Sequence, residues 1–124
     1  MKADLIRLRE ALEASWDERT SYLAVADESN PALGQCYPTA RVVQYFFPET
    51  DIVKGIVWNG KETHFWNVLV VNGTQYHIDL SWQQFPPGSV VCGYEVLECN
   101  NLGDGEDAIR RCNLLKQRVM GYLA

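Results

Sequence analysis

The dipeptide Asn72-Gly73 constrains the fold more than any other feature, because it joins two β-rich runs at 63–71 and 74–80. An Asn-Gly pair between such runs is the strongest short-range signal for a two-residue hairpin, since both turn residues need a positive φ. We therefore predict an antiparallel hairpin in which Val71 lies opposite Thr74.

This register predicts which side chains share a face of the hairpin. Side chains alternate between the two faces of a strand. One face should therefore carry His64, Trp66, His77 and Asp79, and the other should carry Phe65, Asn67, Tyr76 and Ile78. With Trp66 opposite Asp79, His64 and Asp79 become diagonal neighbours about 7–8 Å apart, within reach of long side chains.

Periodicity predicts the remaining elements. Apolar residues at helical spacing indicate helices over 2–15, over 36–47 and after a capping Asp104 near the end of the chain. β-rich runs add strands at 52–58 and 93–98. The expected buried stripe of the last helix comprises Ala108, Cys112, Leu115, Val119 and Tyr122. We predict an α+β fold with a small antiparallel sheet and flanking N- and C-terminal helices.

Composition and charge limit the possible partners. The chain has 124 residues, is 47% hydrophobic and 22% charged, and suits a single soluble domain over 1–124. Its net charge of −5 argues against nucleic acid and anionic membranes as partners. No apolar run approaches the roughly 20 residues that span a bilayer, and the charged start does not resemble a signal peptide. We therefore expect a cytoplasmic protein.

The cysteine pattern indicates thiols rather than a metal site. The four cysteines are Cys36, Cys92, Cys99 and Cys112. None forms a Cys-x-x-Cys pair, so the spacing indicates neither a structural zinc site nor another cofactor. In a reducing compartment we expect four free thiols.

Cys36 lies at a predicted helix start. Pro38 is tolerated in the first turn of a helix, and Pro48 ends the run that follows. The positive end of the helix dipole favours a thiolate at Cys36. Taken alone, a buried structural cysteine is the simpler interpretation.

The hairpin supplies the partners that a nucleophilic thiol needs. We predict Cys36 as the nucleophile, His64 as the general acid and base, and Asp79 as the group that orients the imidazole. The helix of Cys36 should then pack on the face that carries His64. Each residue alone has a structural alternative: a satisfied half-buried histidine for His64, a turn carboxylate for Asp79 and core packing for Trp66.

These residues also carry a family resemblance. The matching motifs are Gly34-x-Cys36-x-x-x-Ala40, His64-x-Trp66-Asn67-x-Leu69 and Tyr76-x-Ile78-Asp79-Leu80-Ser81. Their order resembles the core of transglutaminase-like and papain-like proteins, in which a helix-start Cys, a strand His and a neighbouring-strand Asp act together. The resemblance implies that fold and a Cys36, His64 and Asp79 triad. Unlike many of those proteins, the chain has Leu80 rather than Pro after the Asp.

A closer resemblance covers most of the chain. It is similar to small bacterial proteins of the YunG-like kind, and four motifs carry the similarity: Asn30-Pro31-Ala32-Leu33-Gly34-Gln35-Cys36, His64-x-Trp66-Asn67, Ile78-Asp79-Leu80-Ser81 followed by Gln84-Phe85, and Arg111/Leu114-Leu115/Arg118-Val119.

The expected function is a thiol-dependent hydrolase or acyltransferase of amidase, deamidase or peptidase type, acting on a peptide or small-molecule amide. Candidates for oxyanion or substrate contacts are the Cys36 backbone N–H and the side chains of Gln35, Trp66, Gln83 and Gln84. One alternative is a catalytically inactive binding module that keeps the fold. Another is a metal site built from His64, His77, Asp79 and Cys36. No pattern in the sequence indicates an oligomeric state.

Overall fold

The structure, a computed structural model, describes residues 4–21, 29–57, 62–85, 88–97 and 105–124. The elements in chain order are α1 (Leu5–Ser15), α2 (Cys36–Phe46), β1 (Asp51–Val57), β2 (Glu62–Val71), β3 (Thr74–Ile78), a short 3-10 helix (Trp82–Gln84), β4 (Val91–Leu97) and α3 (Glu106–Leu123). The four strands form one antiparallel sheet in the order β3-β2-β1-β4. The prediction of an α+β fold is confirmed.

The predicted hairpin has the predicted register. Asn72 and Gly73 have φ values of 51° and 80°, and Val71 pairs with Thr74. The strand β3 ends at Ile78 opposite Asn67, two residues before the predicted end. Asp79 Oδ1 accepts a hydrogen bond of 3.2 Å from the Ser81 backbone N–H, a local turn that competes with the ladder. Residues 62–66 of β2, which precede Asn67, therefore pair only with β1.

The three helices bury a common apolar core. Its buried members are Leu8, Ala11, Leu12, Val42, Val43, Leu115, Val119 and Leu123. The predicted stripe of α3 is correct for Cys112, Leu115 and Val119, but Tyr122 is 48% exposed and Leu123 takes its place in the core. The N-cap of α3 is Gly105, and the predicted cap, Asp104, lies outside the described residues. So does Cys99.

The helix α2 packs on the sheet face opposite to His64, so the predicted packing face is wrong. The Tyr37 ring meets the Phe65 ring edge-on at 4.8 Å, and Asn67 Nδ2 donates a 2.9 Å hydrogen bond to the Ala40 carbonyl. Ile78, on the same face, packs against the helical core. The opposite face has its own buried apolar cluster, Val53, Trp66 and Val68. No helix in the described ranges is long and apolar enough to cross a membrane.

Candidate active site

Cys36 is the first residue of α2 and is 9% exposed. Gly34 has a φ of 74°, a left-handed conformation that turns the chain into the helix at little cost for glycine. At the first helical position the backbone N–H has no intrahelical acceptor, so it points out from the helix start. The local sequence thus presents both a thiol and an N–H group at the positive end of α2.

His64 is fully buried. It lies in the part of β2 that extends past the end of β3, where no residue of β3 pairs with it. Its Nε2 lies 2.6 Å from Asp79 Oδ2. The Cys36 side chain, through a hydrogen bond and its charge, is one of the groups that raise the His64 pKa, so the thiol lies close to the imidazole. With Nε2 bonded to Asp79, Nδ1 is the ring nitrogen that remains for other partners, and Gln84 Nε2 lies 3.4 Å from it. The structure therefore brings Cys36, His64 and Asp79 into one cluster, in which His64 and Asp79 are hydrogen-bonded.

Helix α2 and His64 lie on opposite faces of the sheet, yet Cys36 reaches the imidazole from the end of the helix. The position of Cys36 at the first residue and the early end of β3 make this contact possible. Asp79 uses both carboxylate oxygens, one toward His64 and one toward the Ser81 N–H. The strand end thus fixes the carboxylate, which in turn fixes the ring of His64.

The environment makes His64 a cation at neutral pH. Burial, the largest influence, lowers its pKa, but hydrogen bonds and charges from Asp79 and Cys36 outweigh burial and raise the pKa to about 9. The imidazolium therefore persists through the physiological range beside the Cys36 sulfur. A cation in that position stabilises a thiolate.

Aromatic rings enclose the imidazole. Trp66 stacks on His64 with ring centres 5.5 Å apart and an interplanar angle of 26°. Phe85 and Trp82 meet the ring edge-on at 4.7 and 5.7 Å. Only the resemblance pointed to Phe85, and nothing in the local sequence pattern singled out Trp82. Their contacts arise because the 3-10 helix folds back over β2.

Trp66 is held in place by groups on two neighbouring strands. It is 5% exposed, and its Nε1 donates a 2.9 Å hydrogen bond to His77 Nδ1. A Cβ on Gly55 would lie 2.4 Å from the Trp66 ring, so the indole needs a glycine at that position. Trp66 therefore serves here as packing for His64, and the sequence did not identify the requirement at Gly55.

His77 faces Trp66 and is not turned toward His64. The metal alternative required His77 beside His64, Asp79 and Cys36. In the described part of the chain, no group of three or more His, Cys, Asp or Glu side chains has the arrangement that would hold a metal ion.

The three glutamines considered as oxyanion donors have different surroundings. Gln35 is 1% exposed; its Oε1 accepts from Thr20 Oγ1 at 2.8 Å, and its Nε2 donates to the Asp17 carbonyl at 2.9 Å. Gln83 is exposed and donates to Glu13 Oε1 at 3.2 Å. Both amides are thus used elsewhere in the fold.

Gln84 is the glutamine nearest the imidazole. Its Nε2 lies 3.4 Å from His64 Nδ1 and donates to the Ser81 carbonyl at 3.2 Å. The Gln84 backbone carbonyl accepts a 2.8 Å hydrogen bond from Asn30 Nδ2, which ties the 3-10 helix to the segment that leads to Cys36. Gln84 differs from Gln35 and Gln83 in its proximity to the imidazole, although its amide too has a partner in the fold, the Ser81 carbonyl.

The three comparisons with known proteins gave one result. The model of the YunG protein family matches residues 4–124. A search of the curated proteins found no match, and a search of the solved structures found none either. Because the family model spans nearly the whole sequence, the chain belongs to the YunG protein family.

Proposed function

We propose that the protein is a thiol-dependent hydrolase or acyltransferase in which Cys36 is the nucleophile, His64 the general acid and base, and Asp79 the orienting carboxylate. The observation that carries the proposal is the buried His64, bonded to Asp79 at 2.6 Å, with a pKa that Asp79 and Cys36 raise to about 9. A purely structural histidine needs hydrogen-bond partners, but it does not need a thiol at a helix start.

The chemistry follows from these positions. The Cys36 thiolate attacks a carbonyl carbon, a C–S bond forms, and negative charge develops on the carbonyl oxygen. The Cys36 N–H and the Gln84 amide are the proposed donors to that oxygen. His64 then gives its Nδ1 proton to the leaving amine as the C–N bond breaks. Water or an acceptor amine attacks the thioester, His64 takes its proton, and the thiolate leaves.

The order of the three residues along the chain supports the same assignment. A helix-start Cys, a strand His and an Asp at the end of the next strand follow the order expected for papain-like and transglutaminase-like proteins, and we propose that the chain has that core. The proposed substrate is a peptide or small-molecule amide. A net charge of −5 favours neutral or basic substrates over acidic ones. The proposed cytoplasmic setting would keep Cys36 reduced.

The test is a pH series of iodoacetamide labelling, read by peptide mass spectrometry. Cys92 is exposed and serves as the internal reference, because an ordinary thiol is almost fully protonated at pH 6. We expect Cys36 to label at about pH 6 and Cys92 only at higher pH. Cys112 is as buried as Cys36 but lies within α3 rather than at a helix start, and we expect it not to label.

The variant His64→Ala should remove most of the low-pH labelling of Cys36, and the helix start should preserve a remainder. The matched control is His77→Asn, which removes the other histidine and keeps an acceptor for Trp66. If Cys36 labels no earlier than Cys92, or if His64→Ala matches the wild type, the nucleophile and its acid–base partner are wrongly assigned.

Burial of the group favours the second candidate, a binding module that retains the fold without catalysis. Cys36 is 9% exposed and His64 is fully buried, whereas a catalytic thiol must admit its substrate. On this alternative, Cys36 stays unlabelled at every pH until the protein is unfolded in urea. Labelling at pH 6 under native conditions would exclude it.

A further inference from the structure

We infer that the last helix, α3, positions the proposed nucleophile through the turn at residues 17–21 and the buried side chain of Gln35. The inference rests on the proposed function of Cys36. It assigns Arg111, Arg118, Thr20 and Gln35 as positioning residues, none of which touches the reacting atoms.

The first link joins the turn to the start of α2. Gln35 is the N-cap of α2 and directly precedes Cys36, but its side chain forms no cap hydrogen bond. Both ends of its amide bind the turn instead, the oxygen to Thr20 Oγ1 and the nitrogen to the Asp17 carbonyl. A buried amide with both groups satisfied in this way has one favoured position, because leaving either group unpaired is costly.

A second contact holds the same turn of α2. Trp16 Nε1, adjacent to the turn, donates to Thr39 Oγ1 at 3.0 Å. The Thr39 backbone N–H donates to the Gln35 carbonyl at 2.9 Å. The first turn of α2 is therefore attached to the 16–20 segment at Gln35 and at Thr39, on both sides of Cys36.

The next link joins the turn to α3. Arg111 Nη1 donates to the carbonyls of Glu18, Arg19 and Ser21 at 2.9, 3.0 and 2.9 Å, while its Nε bonds to Asp107 at 2.7 Å. Because Nη1 carries only two N–H groups, the three carbonyl oxygens share them, and at least one N–H is bifurcated. Carbonyl oxygens that converge in this way define the path of the turn.

Arg118, two turns further along α3, holds the beginning of the turn. Its Nη1 lies 2.8 Å from Asp17 Oδ2 and donates to the Ser15 carbonyl at 2.9 Å. The two arginines thus hold both ends of the 17–21 turn, and the turn holds Gln35. Local sequence gives no sign of this connection, since Arg111 lies 75 positions after Cys36.

The experiment uses conservative variants of the full chain. Thr20→Val removes the hydroxyl at nearly constant volume, Gln35→Met removes both amide contacts, and Arg111→Met removes the link to α3. Thr20→Ser keeps the hydroxyl and serves as the conservative variant. The matched control is Arg9→Met, because Arg9 is an exposed arginine of α1 that pairs only with the neighbouring Glu13 in the described structure.

Two measurements are made on each variant below its unfolding temperature. One is the rate of Cys36 labelling at pH 6 relative to Cys92, and the other is the NMR titration of His64. Loss of one buried hydrogen bond in the chain should lower the labelling ratio about tenfold. The His64 titration should move toward lower pH, because its Cys36 partner is no longer held in place. Thr20→Ser and Arg9→Met should match the wild type.

The inference is overturned if Thr20→Val, Gln35→Met and Arg111→Met lower the melting temperature but keep the wild-type labelling ratio and His64 titration. That result would make the contacts structural only. If the wild type itself shows no labelling at pH 6, the proposed function fails. The positioning link is then decided by the His64 titration alone. Thr20→Val, the mildest change, decides the matter if Gln35→Met does not fold.

Discussion

Replacing Asp79 with asparagine should lower the pKa of His64 by about 1–2 pH units. The two side chains are 2.6 Å apart, His64 is fully buried and the Asp79 side chain is 20% exposed. A hydrogen bond to a charged group contributes about 1.5–3 kcal/mol, and one pH unit corresponds to about 1.4 kcal/mol. The pKa should therefore fall from about 9 to between about 7 and 8.

The same change should destabilise the fold in a defined pH window. A histidine whose pKa is raised on folding stabilises the protein fully below its unfolded pKa of 6.5, and this contribution disappears as the pH rises through about 9. Asp79→Asn should therefore cost about 2 kcal/mol near pH 6, and much less near pH 10. Asparagine keeps an acceptor for the ring, so the protein should stay folded while any activity falls.

NMR of the histidine ring protons measures this directly. The chain has two histidines, and the spectrum of His77→Asn assigns the remaining signal to His64. The charge control is Glu49→Gln, because Glu49 is exposed and lies beyond the far end of α2 from Cys36. The reasoning is refuted if wild-type His64 titrates near 6.5, or if Asp79→Asn and Glu49→Gln shift it equally.

Three further predictions test the surroundings of the site. Gly55→Ala should cost about 1–3 kcal/mol in urea unfolding because the new Cβ meets the Trp66 ring at 2.4 Å; Gly93→Ala, with nothing within 4 Å, is the control and should cost less. Wild-type stability should fall by about 3 kcal/mol between pH 7 and pH 10.5 as His64 loses its proton, and His64→Ala should lack this step. Asn67→Ala should cost about 1–3 kcal/mol, since it leaves the Ala40 carbonyl without the donor that joins α2 to the sheet; an unchanged urea midpoint would contradict the importance of that contact.

Local sequence determined the elements and the hairpin. Asn72-Gly73 specified a turn with two positive φ values, and the side-chain period of two then specified the Val71–Thr74 register. Helical periodicity identified α1, α2 and α3 to within a few residues. These features depend on residues close together in the chain, which is why the sequence alone predicts them.

The position at which β3 ends was not predicted correctly from the sequence. The strand was predicted to reach Leu80, but β3 stops at Ile78, directly before Asp79, for which the sequence also allowed a turn carboxylate. Asp79 binds His64 through one oxygen and the Ser81 N–H through the other, and these bonds replace the ladder. The strand end depends on a histidine of another strand, and local β-propensity does not include that contact.

Tertiary structure alone decided how the candidate site is assembled. The sequence predicted that α2 would cover the face of His64, but packing placed it against Phe65 and Asn67, so that only Cys36, at the helix end, meets the imidazole. The sequence likewise did not distinguish three glutamines as oxyanion donors. In the structure, Gln35 is bonded to the Asp17 carbonyl and Gln83 to Glu13. Periodicity assigns a side chain to a face of its own element, whereas the partner of that face depends on how distant elements share one buried volume.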